Sequence, residues 1–372
     1  MQPSHNSRTP FQLLSNCLRG ALGQKLAASA LPANANEWEK VLRLSGAHLA
    51  TPQLRWALFE QGLFSDVPPD VAEYLEAVHT LNLEKNQQCE EQLEHLVGVL
   101  NGIGVQPVFL KGAAALIGRL YPSSGERMVS DIDVLVPAAR LPDILDRLAG
   151  VGYRLVNPKE DVSDVEHPDA RSHHHYPAIY SPDWPVAVEL HVQPVLLSFV
   201  NFLSCDEVFQ GATAVRWRGG DCFLPSPTHF VMHNIIHNFL VDTRYHLASM
   251  SLRQLFEFVL VSQTYGESID WRAINSRFGA AGRRDELAQY LVLAQTCLGL
   301  DALTEITPDR WDRLRVQPYL ARLNLENRAL RWAVIVVCQL IVRLRNLWKD
   351  PGSIRKLLTA DLYTNFRNSI RF

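Results

Sequence analysis

Two aspartates open a short apolar segment, Asp131–Val136, and this pairing limits what the chain can fold into. Alternation along a strand places Asp131 and Asp133 on one face, and Ile132 and Val134 on the other. Two carboxylates so close together repel each other unless a positive charge lies between them. A divalent cation is the usual solution, and Mg²⁺ prefers oxygen ligands. The segment therefore predicts a strand that carries a metal site at its start.

A strand, a turn and a helix precede these aspartates. Gln106–Leu110 is a short apolar run between two glycines, which predicts a buried strand. Residues 113–120 are rich in helix formers, and the sequence YPSSG ends that helix. Lys111 and Gly112 lie at the junction, where a lysine charge and the first N–H groups of a helix can meet phosphate oxygens. Arg127, which follows the helix, could reach the same phosphates or brace the aspartates.

A third carboxylate lies in a later alternating segment, Val186–Val192. Glu189 and His191 share one face of this predicted strand, and apolar side chains occupy the other. If the strand lies beside the aspartates, three carboxylates can hold two metals for in-line displacement at phosphorus. Glu189 is then either a metal ligand or the base that takes the proton from an acceptor hydroxyl. His191 either supports the site or is a half-buried histidine with a structural hydrogen bond.

The motifs Leu-Lys-Gly, Arg-x-x-Ser-Asp-x-Asp-x-Leu-Val and Glu-Leu-His, in this order, resemble the uncharacterised nucleotidyltransferase family of the DNA polymerase beta-like superfamily. The resemblance runs from about residue 37 to about residue 271. It implies that a small mixed sheet forms the nucleotidyltransferase core. It also implies that the metal ligands and catalytic residues are Asp131, Asp133 and Glu189. The nucleotide-binding residues that it implies are Lys111, Gly112, Arg127 and Ser130.

The same resemblance implies an activity. The enzyme would move a nucleoside monophosphate from an NTP such as ATP to an acceptor, release pyrophosphate, and require Mg²⁺ or Mn²⁺. The acceptor would be a hydroxyl or phosphate of a small molecule, a protein or an RNA, because the superfamily includes all three kinds. Ala113 and Ala114 depart from the pattern, since many members carry serine, glycine or threonine there. The missing hydroxyl favours a second hypothesis, a non-catalytic nucleotide-binding or scaffold protein, whereas the complete carboxylate set argues against it.

The order of elements predicts an α+β (mixed) fold. We expect a flexible arm over residues 1–35 with one helix at Phe11–Leu22, and an N-terminal helical region over 36–103. The nucleotidyltransferase α/β core covers 104–218, and a C-terminal helical domain with a basic tail covers 219–372. Within the core, Ser172–Tyr180 is predicted to be a strand that pairs with the Glu189 strand through a turn.

Two groups of histidines lie outside these motifs. Residues 173–175 are all histidine, and because neighbours on a strand face opposite sides, we interpret them as a polar strand edge and not one metal site. His229, His233 and His237 follow helical spacing, and two histidines four residues apart can share a metal. This ridge predicts a lined groove, a metallohydrolase site, or a wall facing the nucleotide site. If the ridge faces the nucleotide site, His233 and His237 are candidates, with His191, for supporting the metal ligands.

The net charge, the cysteine spacing and the length of the apolar runs argue against several classes of protein. The 372 residues carry a net charge of −3, so no overall positive field indicates a nucleic-acid partner. Six cysteines lack paired spacing and the N-terminus lacks an apolar signal core, which predicts a cytoplasmic protein with free thiols. The longest apolar run, residues 332–342, is far shorter than the ~20 residues of a membrane span.

One region departs from this even charge. From residue 309 onward, 13 lysines and arginines face 5 aspartates and glutamates, a formal balance of +8. This basic tail fits a surface for RNA or another anionic partner, or a basic amphipathic helix at a membrane. It equally fits a buried helix with a solvated arginine rim. Since the rest of the chain must then be acidic, the tail could also pair with it.

Overall fold

The computed structural model describes residues 8–156, 174–241, 250–303 and 305–325, together with residues 330 and 333. Within these ranges the strands form one mixed seven-stranded sheet in the order β3-β4-β5-β2-β1-β7-β6. The strands are β1 (Val108–Phe109), β2 (Asp131–Leu135), β3 (Arg154–Leu155), β4 (Ile179–Tyr180), β5 (Ala187–His191), β6 (Thr213–Trp217) and β7 (Gly220–Leu224). Helices flank this sheet in sequence on both sides, so the predicted α+β class is confirmed.

Four helices precede the sheet. They are α1 (Pro10–Ala21), α2 (Ala35–Ala47), α3 (Thr51–Glu60) and α4 (Pro69–Asn101). Helix α1 begins at a capping box, in which Thr9 and Gln12 each accept the other's backbone N–H, with Pro10 in the first turn. Helix α4 has 33 residues and therefore extends about 50 Å, which carries the chain across the molecule to β1.

In the described part of the chain, three helices connect the strands, and further helices follow the sheet. The connecting helices are α5 (Lys111–Ile117), α6 (Leu141–Gly150) and α7 (Cys205–Gly211). The helices after the sheet are α8 (Pro227–Ile235), α9 (Leu252–Tyr265), α10 (Trp271–Ala280), α11 (Arg284–Leu298), α12 (Arg310–Arg315) and α13 (Gln317–Asn324). Helix α8 continues as a π-helical turn over Ile236–Leu240, which changes the direction of the side chains beyond it.

Two hydrophobic cores hold these elements, and they do not follow the predicted domain boundaries. One core joins helices α1–α3 to the helices of the C-terminal region. The other packs the sheet against α5, α6 and the second half of α4. Helix α4 belongs to both, because Val71 and Leu75 lie in the first core and Leu93 and Leu96 in the second. The N-terminal and C-terminal helical regions are therefore one packing unit.

The prediction of a flexible arm over residues 1–35 is wrong for its described part. The predicted helix is present as α1, but Phe11, Leu14 and Leu18 are buried in the first core. Their spacing puts them on one face of the helix, and that face packs against α3 and the C-terminal region. The arm is thus an integral part of the helical core.

Two further sequence predictions need correction or lie outside the described ranges. Residues 172 and 173 of the predicted strand Ser172–Tyr180 lie outside the described residues, and the described remainder forms only β4, preceded by a single bridge between His175 and His191. Pro177 interrupts this ladder because it has no N–H to donate. The apolar run 332–342, apart from residue 333, and most of the basic tail lie outside the described residues.

The described part of the chain contains no helix with the length and apolar character of a membrane span. The five cysteines within it are buried and carry free thiols, as their scattered spacing predicts.

Replacing Leu18 by alanine tests whether α1 is part of the core. Leu18 is fully buried, at 0% exposure, so the cavity is expected to lower the free energy of unfolding by about 2–5 kcal/mol. Leu81→Ala on α4 is the matched control, because Leu81 is 66% exposed and its loss should change stability by less than about 0.5 kcal/mol. Urea denaturation of both variants measures the difference, and equal midpoints would contradict the shared core.

Candidate functional site

The parallel pairing of β2 with β5 brings the predicted carboxylates together. The register places Asp133 opposite Glu189, Asp131 opposite Ala187 and Leu135 opposite His191. Residues opposite each other in a parallel pair point to the same face, so both acidic side chains lie on one side of the sheet. The apolar alternate residues, among them Ile132 and Val188, are buried on the other side. The alternation that predicted the strands therefore also builds the site.

Asp133 is the more buried of the two paired carboxylates, at 1% exposure. Lys111 Nζ donates to its Oδ1 at 2.6 Å, and His191 Nε2 lies 2.8 Å from the same oxygen. Burial would raise the pKa of Asp133, but the charge of Lys111 and the hydrogen bond of His191 hold it well below its ordinary range. Its second oxygen, Oδ2, is buried and has no hydrogen-bond partner among the described residues.

His191 links the two carboxylates. Its Nε2 also lies 3.6 Å from Glu189 Oε2, and the ligand atoms of Asp133, Glu189 and His191 all fall within 4.8 Å of one another. Burial lowers the pKa of His191, but its hydrogen bonds to the two carboxylates raise it above the ordinary value. The hydrogen bond from His191 in turn lowers the pKa of Glu189. Glu189 remains 25% exposed, so it is the carboxylate of this pair that reaches solvent.

Asp131 stands apart from this cluster. Its side chain is half-buried, and the exposed Ser130 donates its hydroxyl to Asp131 Oδ1 at 2.8 Å. Among the described residues, the grouping with metal-ligand spacing contains His191 and lacks Asp131. The predicted triad therefore divides into a close pair, Asp133 and Glu189, and a third carboxylate, Asp131, at the start of β2.

The donor atoms suit a divalent cation. The buried Oδ2 of Asp133 is a carboxylate oxygen that no described group satisfies, and such atoms are rare in the absence of a water or an ion. Carboxylate oxygens suit Mg²⁺ and Mn²⁺, and an imidazole nitrogen is compatible with transition metals. The cluster fits a metal through Asp133 and Glu189, with His191 as the nitrogen donor or as the group that orients both carboxylates.

Lys111 and Gly112 adopt a tight junction between β1 and α5. Lys111 has φ 48°, a left-handed conformation that is uncommon outside glycine. A Cβ atom at Gly112 would lie 3.0 Å from Nη1 of Arg127 and 3.3 Å from Val129 Cγ2. Only glycine therefore lets the Arg127 guanidinium approach this turn so closely.

Arg127 is buried and engaged in an ion pair. Its Nε donates to Glu257 Oε2 at 2.8 Å, and its Nη2 lies 3.4 Å from Glu257 Oε1. The Tyr121 hydroxyl donates to the same carboxylate at 3.3 Å. Burial would lower the pKa of Arg127, but Glu257 raises it above its ordinary value. With 4% exposure and a carboxylate partner, Arg127 braces the fold behind the aspartates and faces no open space.

Side chains from distant helices also hold the backbone just before Asp131. Asn86 on α4 donates to the Arg127 carbonyl at 2.6 Å, and Lys85 donates to the Val129 carbonyl at 2.9 Å. Arg253 on α9 donates to the Met128 carbonyl at 2.6 Å. The sequence analysis did not single out these residues or Glu257. The available signal was a charge inside an apolar run, because Glu257 lies between Phe256 and Phe258.

The histidine ridge does not form one site. His233 is buried, its Nε2 has no partner among the described residues, and burial lowers its pKa to about 3. The charges of Lys111 and Asp133 also influence the pKa of this ring, in opposite directions. His237 lies in the π-helical turn, where Gln254 bonds its Nδ1, with its ring 5.9 Å from that of His233. His229 packs against Gly211 instead.

Two of the three consecutive histidines also reach the site. The rings of His174 and His175 lie 5.4 Å and 5.2 Å from the ring of His191. The expectation that neighbours face opposite sides fails here, because the backbone is not a regular strand at these positions. Burial lowers the pKa of His174 to about 3. His173 lies outside the described residues.

Comparisons with known proteins agree with these motifs. A family model described as "Uncharacterised nucleotidyltransferase" matches residues 34–299. This range includes the sheet, the carboxylate cluster, and the side chains of α4 and α9 that bond to residues 127–129. A comparison with curated proteins gives no match.

Gly112→Ala tests the close approach of Arg127 to the turn. The added methyl would force Arg127 or the turn to move, so we expect a loss of about 1–3 kcal/mol in the free energy of unfolding. Gly98→Ala is the matched control, because a Cβ there meets nothing within 4 Å and the alanine should stabilise the last turn of α4 by up to about 1 kcal/mol. Thermal unfolding compares the two variants, and a stable Gly112→Ala protein would show that the contact is unimportant.

Proposed function

Since the chain belongs to this uncharacterised nucleotidyltransferase family, we propose that it is a metal-dependent enzyme that transfers a nucleoside monophosphate. The donor is an NTP, with ATP as one candidate, and pyrophosphate leaves. The acceptor is a hydroxyl or a phosphate on a small molecule, a protein or an RNA. The observation that carries the proposal is the buried, unpartnered Oδ2 of Asp133 beside the more exposed carboxylate of Glu189.

The carboxylates and the histidine have different roles in this proposal. Asp133 and Glu189, with Asp131 nearby on the same strand, hold Mg²⁺ or Mn²⁺. A bound divalent cation supplies positive charge that stabilises the phosphoryl group in transfer and the leaving pyrophosphate. His191 fixes the orientation of Asp133 and Glu189 through its Nε2. Glu189 is the better candidate for accepting the acceptor's proton, because solvent reaches it and does not reach Asp133.

The basic residues and Ser130 complete the assignment. Lys111 neutralises Asp133 in the described arrangement and, with the Gly112 turn, lies where a phosphate can approach. Ser130 is exposed and fixes the rotamer of Asp131 by donating to its Oδ1. Arg127 supports the turn through Glu257. An RNA acceptor bound through the basic tail stays a proposal from sequence, because that tail lies almost entirely outside the described residues.

One observation favours a second candidate, a nucleotide-binding or scaffold protein without catalysis. The ammonium of Lys111 lies 2.6 Å from Asp133. The lysine therefore neutralises a carboxylate that a metal ion would neutralise in the proposed enzyme. The alanines at 113 and 114 point in the same direction, since they offer no hydroxyl to a phosphate. The histidine metallohydrolase has less support, because the group with metal-ligand spacing among the described residues contains none of the three ridge histidines.

Binding of labelled NTPs, with and without Mg²⁺, tests the proposed donor site. The wild type is expected to bind at least one NTP in a Mg²⁺-dependent manner. Asp131→Asn/Asp133→Asn should weaken that binding by at least about tenfold, because the amides remove the charges that hold the cation. Asp143→Asn is the control, since Asp143 is exposed on α6 and, among the described residues, forms an ion pair with Arg140 alone. Failure of the folded wild type to bind any NTP would overturn the proposal.

Label transfer separates the enzyme from the scaffold. With NTP labelled at the α-phosphate, the enzyme would move label into a component of a cell extract and release unlabelled pyrophosphate. With NTP labelled at the γ-phosphate, the label would appear in pyrophosphate. Mg²⁺-dependent binding without either result would favour the scaffold protein.

A further inference from the structure

An excess of positive charge surrounds the backbone segment Arg127–Ser130. Arg127 and Arg253 each donate an Nη1 hydrogen to the same acceptor, the carbonyl oxygen of Met128. Lys85 donates to the next carbonyl, that of Val129. Three cationic groups therefore converge on two neighbouring carbonyls immediately before Asp131.

These cations are not equally neutralised. Arg127 has Glu257 as its carboxylate partner. Neither Arg253 nor Lys85 makes an ion pair with any carboxylate in the described ranges. The Nε of Arg253 is also buried without a hydrogen-bond partner there. Among these three cations, only Arg127 has an ion pair with a carboxylate in the described ranges. The other two come from helices on different sides of the segment, Lys85 from α4 and Arg253 from α9.

The electrostatics of Arg253 fit a missing anion. Burial and the charge of the neighbouring Arg127 lower its pKa to about 10, and the charge of Glu257 opposes them only in part. Asp131 raises the pKa of both arginines, so its charge is felt by this group, yet it forms no ion pair with either. Two guanidinium groups at one carbonyl repel each other, and a bound anion with several oxygens would remove that repulsion.

We propose that Arg253 and Lys85 form a polyphosphate subsite that binds the β- and γ-phosphates of the donor nucleotide beside Asp131. The inference rests on the proposed function and assigns to Arg253 the phosphate contact that sequence analysis gave to Arg127. A guanidinium presents parallel N–H donors that match phosphate oxygens, and an ammonium adds a second charge. His174 and His175 lie on the His191 side of the cluster. Arg253 and Lys85 lie on the Asp131 side, so their positive charges favour binding of a polyanion there.

Inorganic tripolyphosphate is the probe, because it carries the phosphates without a base or a sugar. Calorimetric titration, with and without Mg²⁺, compares the wild type with Arg253→Gln and Lys85→Gln. We expect each substitution to weaken tripolyphosphate binding by about tenfold. Arg43→Gln is the control for loss of one arginine charge, since Arg43 is exposed on α2 and remote from the segment. Its affinity should equal that of the wild type.

Arg253 also supports the Met128 carbonyl, so a second comparison isolates phosphate recognition from folding. Arg253→Lys keeps a charge and a donor and should recover part of the affinity, with a melting temperature near that of the wild type. Each variant is also titrated with the four NTPs and the four NMPs. A phosphate role predicts that Arg253→Gln lowers affinity for an NTP much more than for the matching NMP. A purely structural role would lower both equally, and that outcome would overturn the inference.

The outcomes separate this inference from the proposed function. If Mg²⁺-dependent NTP binding is lost in Asp131→Asn/Asp133→Asn but unchanged in Arg253→Gln and Lys85→Gln, only the subsite is refuted. If the folded wild type binds neither an NTP nor tripolyphosphate, both proposals fail. If it binds tripolyphosphate through Arg253 and Lys85 but no NTP, the anion site stands while the nucleotidyltransferase assignment fails.

Discussion

The structure of the site depends on a carboxylate that is buried at the centre of a sheet. Asp133 lies on the middle strand of the seven, and removing such a charge from water is costly unless it is compensated. Lys111 and His191 compensate it, and both act on the same oxygen. The position of α5, the register of β5 and the burial of His191 all follow from that requirement. The other oxygen of Asp133 has no hydrogen-bond partner among the described residues.

A second dependence joins the site to the helical parts of the chain. The segment that leads into β2 is held by polar side chains of α4 on one side and of α9 on the other, including Asn86 and Arg253. The buried pair of Arg127 and Glu257 adds a link between residues 130 positions apart. The aspartates therefore occupy a strand whose entry is determined by the N-terminal and the C-terminal helices together. A change in how these helices pack would alter the geometry of the carboxylates.

The local parts of this arrangement could be predicted from sequence, because they follow from short-range patterns. Alternation predicted β2 and β5, and their side-by-side pairing was the simplest way to bring Glu189 to Asp133. The partner of Arg127 could not be predicted, since its choice of a carboxylate on α9 depends on tertiary packing. The burial of α1 was missed for a related reason. Its apolar face was visible, but the surface that covers it comes from α3 and from residues almost 300 positions away.

The left-handed backbone at Lys111 has a consequence for how this protein tolerates change. A side chain at φ 48° carries a strain of roughly 1–2 kcal/mol that glycine would not carry. The chain keeps a lysine there, in contact with Asp133, so the charge outweighs the strained backbone. A variant with glycine in place of Lys111 and an uncharged residue in place of Asp133 would be relieved of strain and of a buried charge at once. Selection for stability alone would therefore remove this pair of charges.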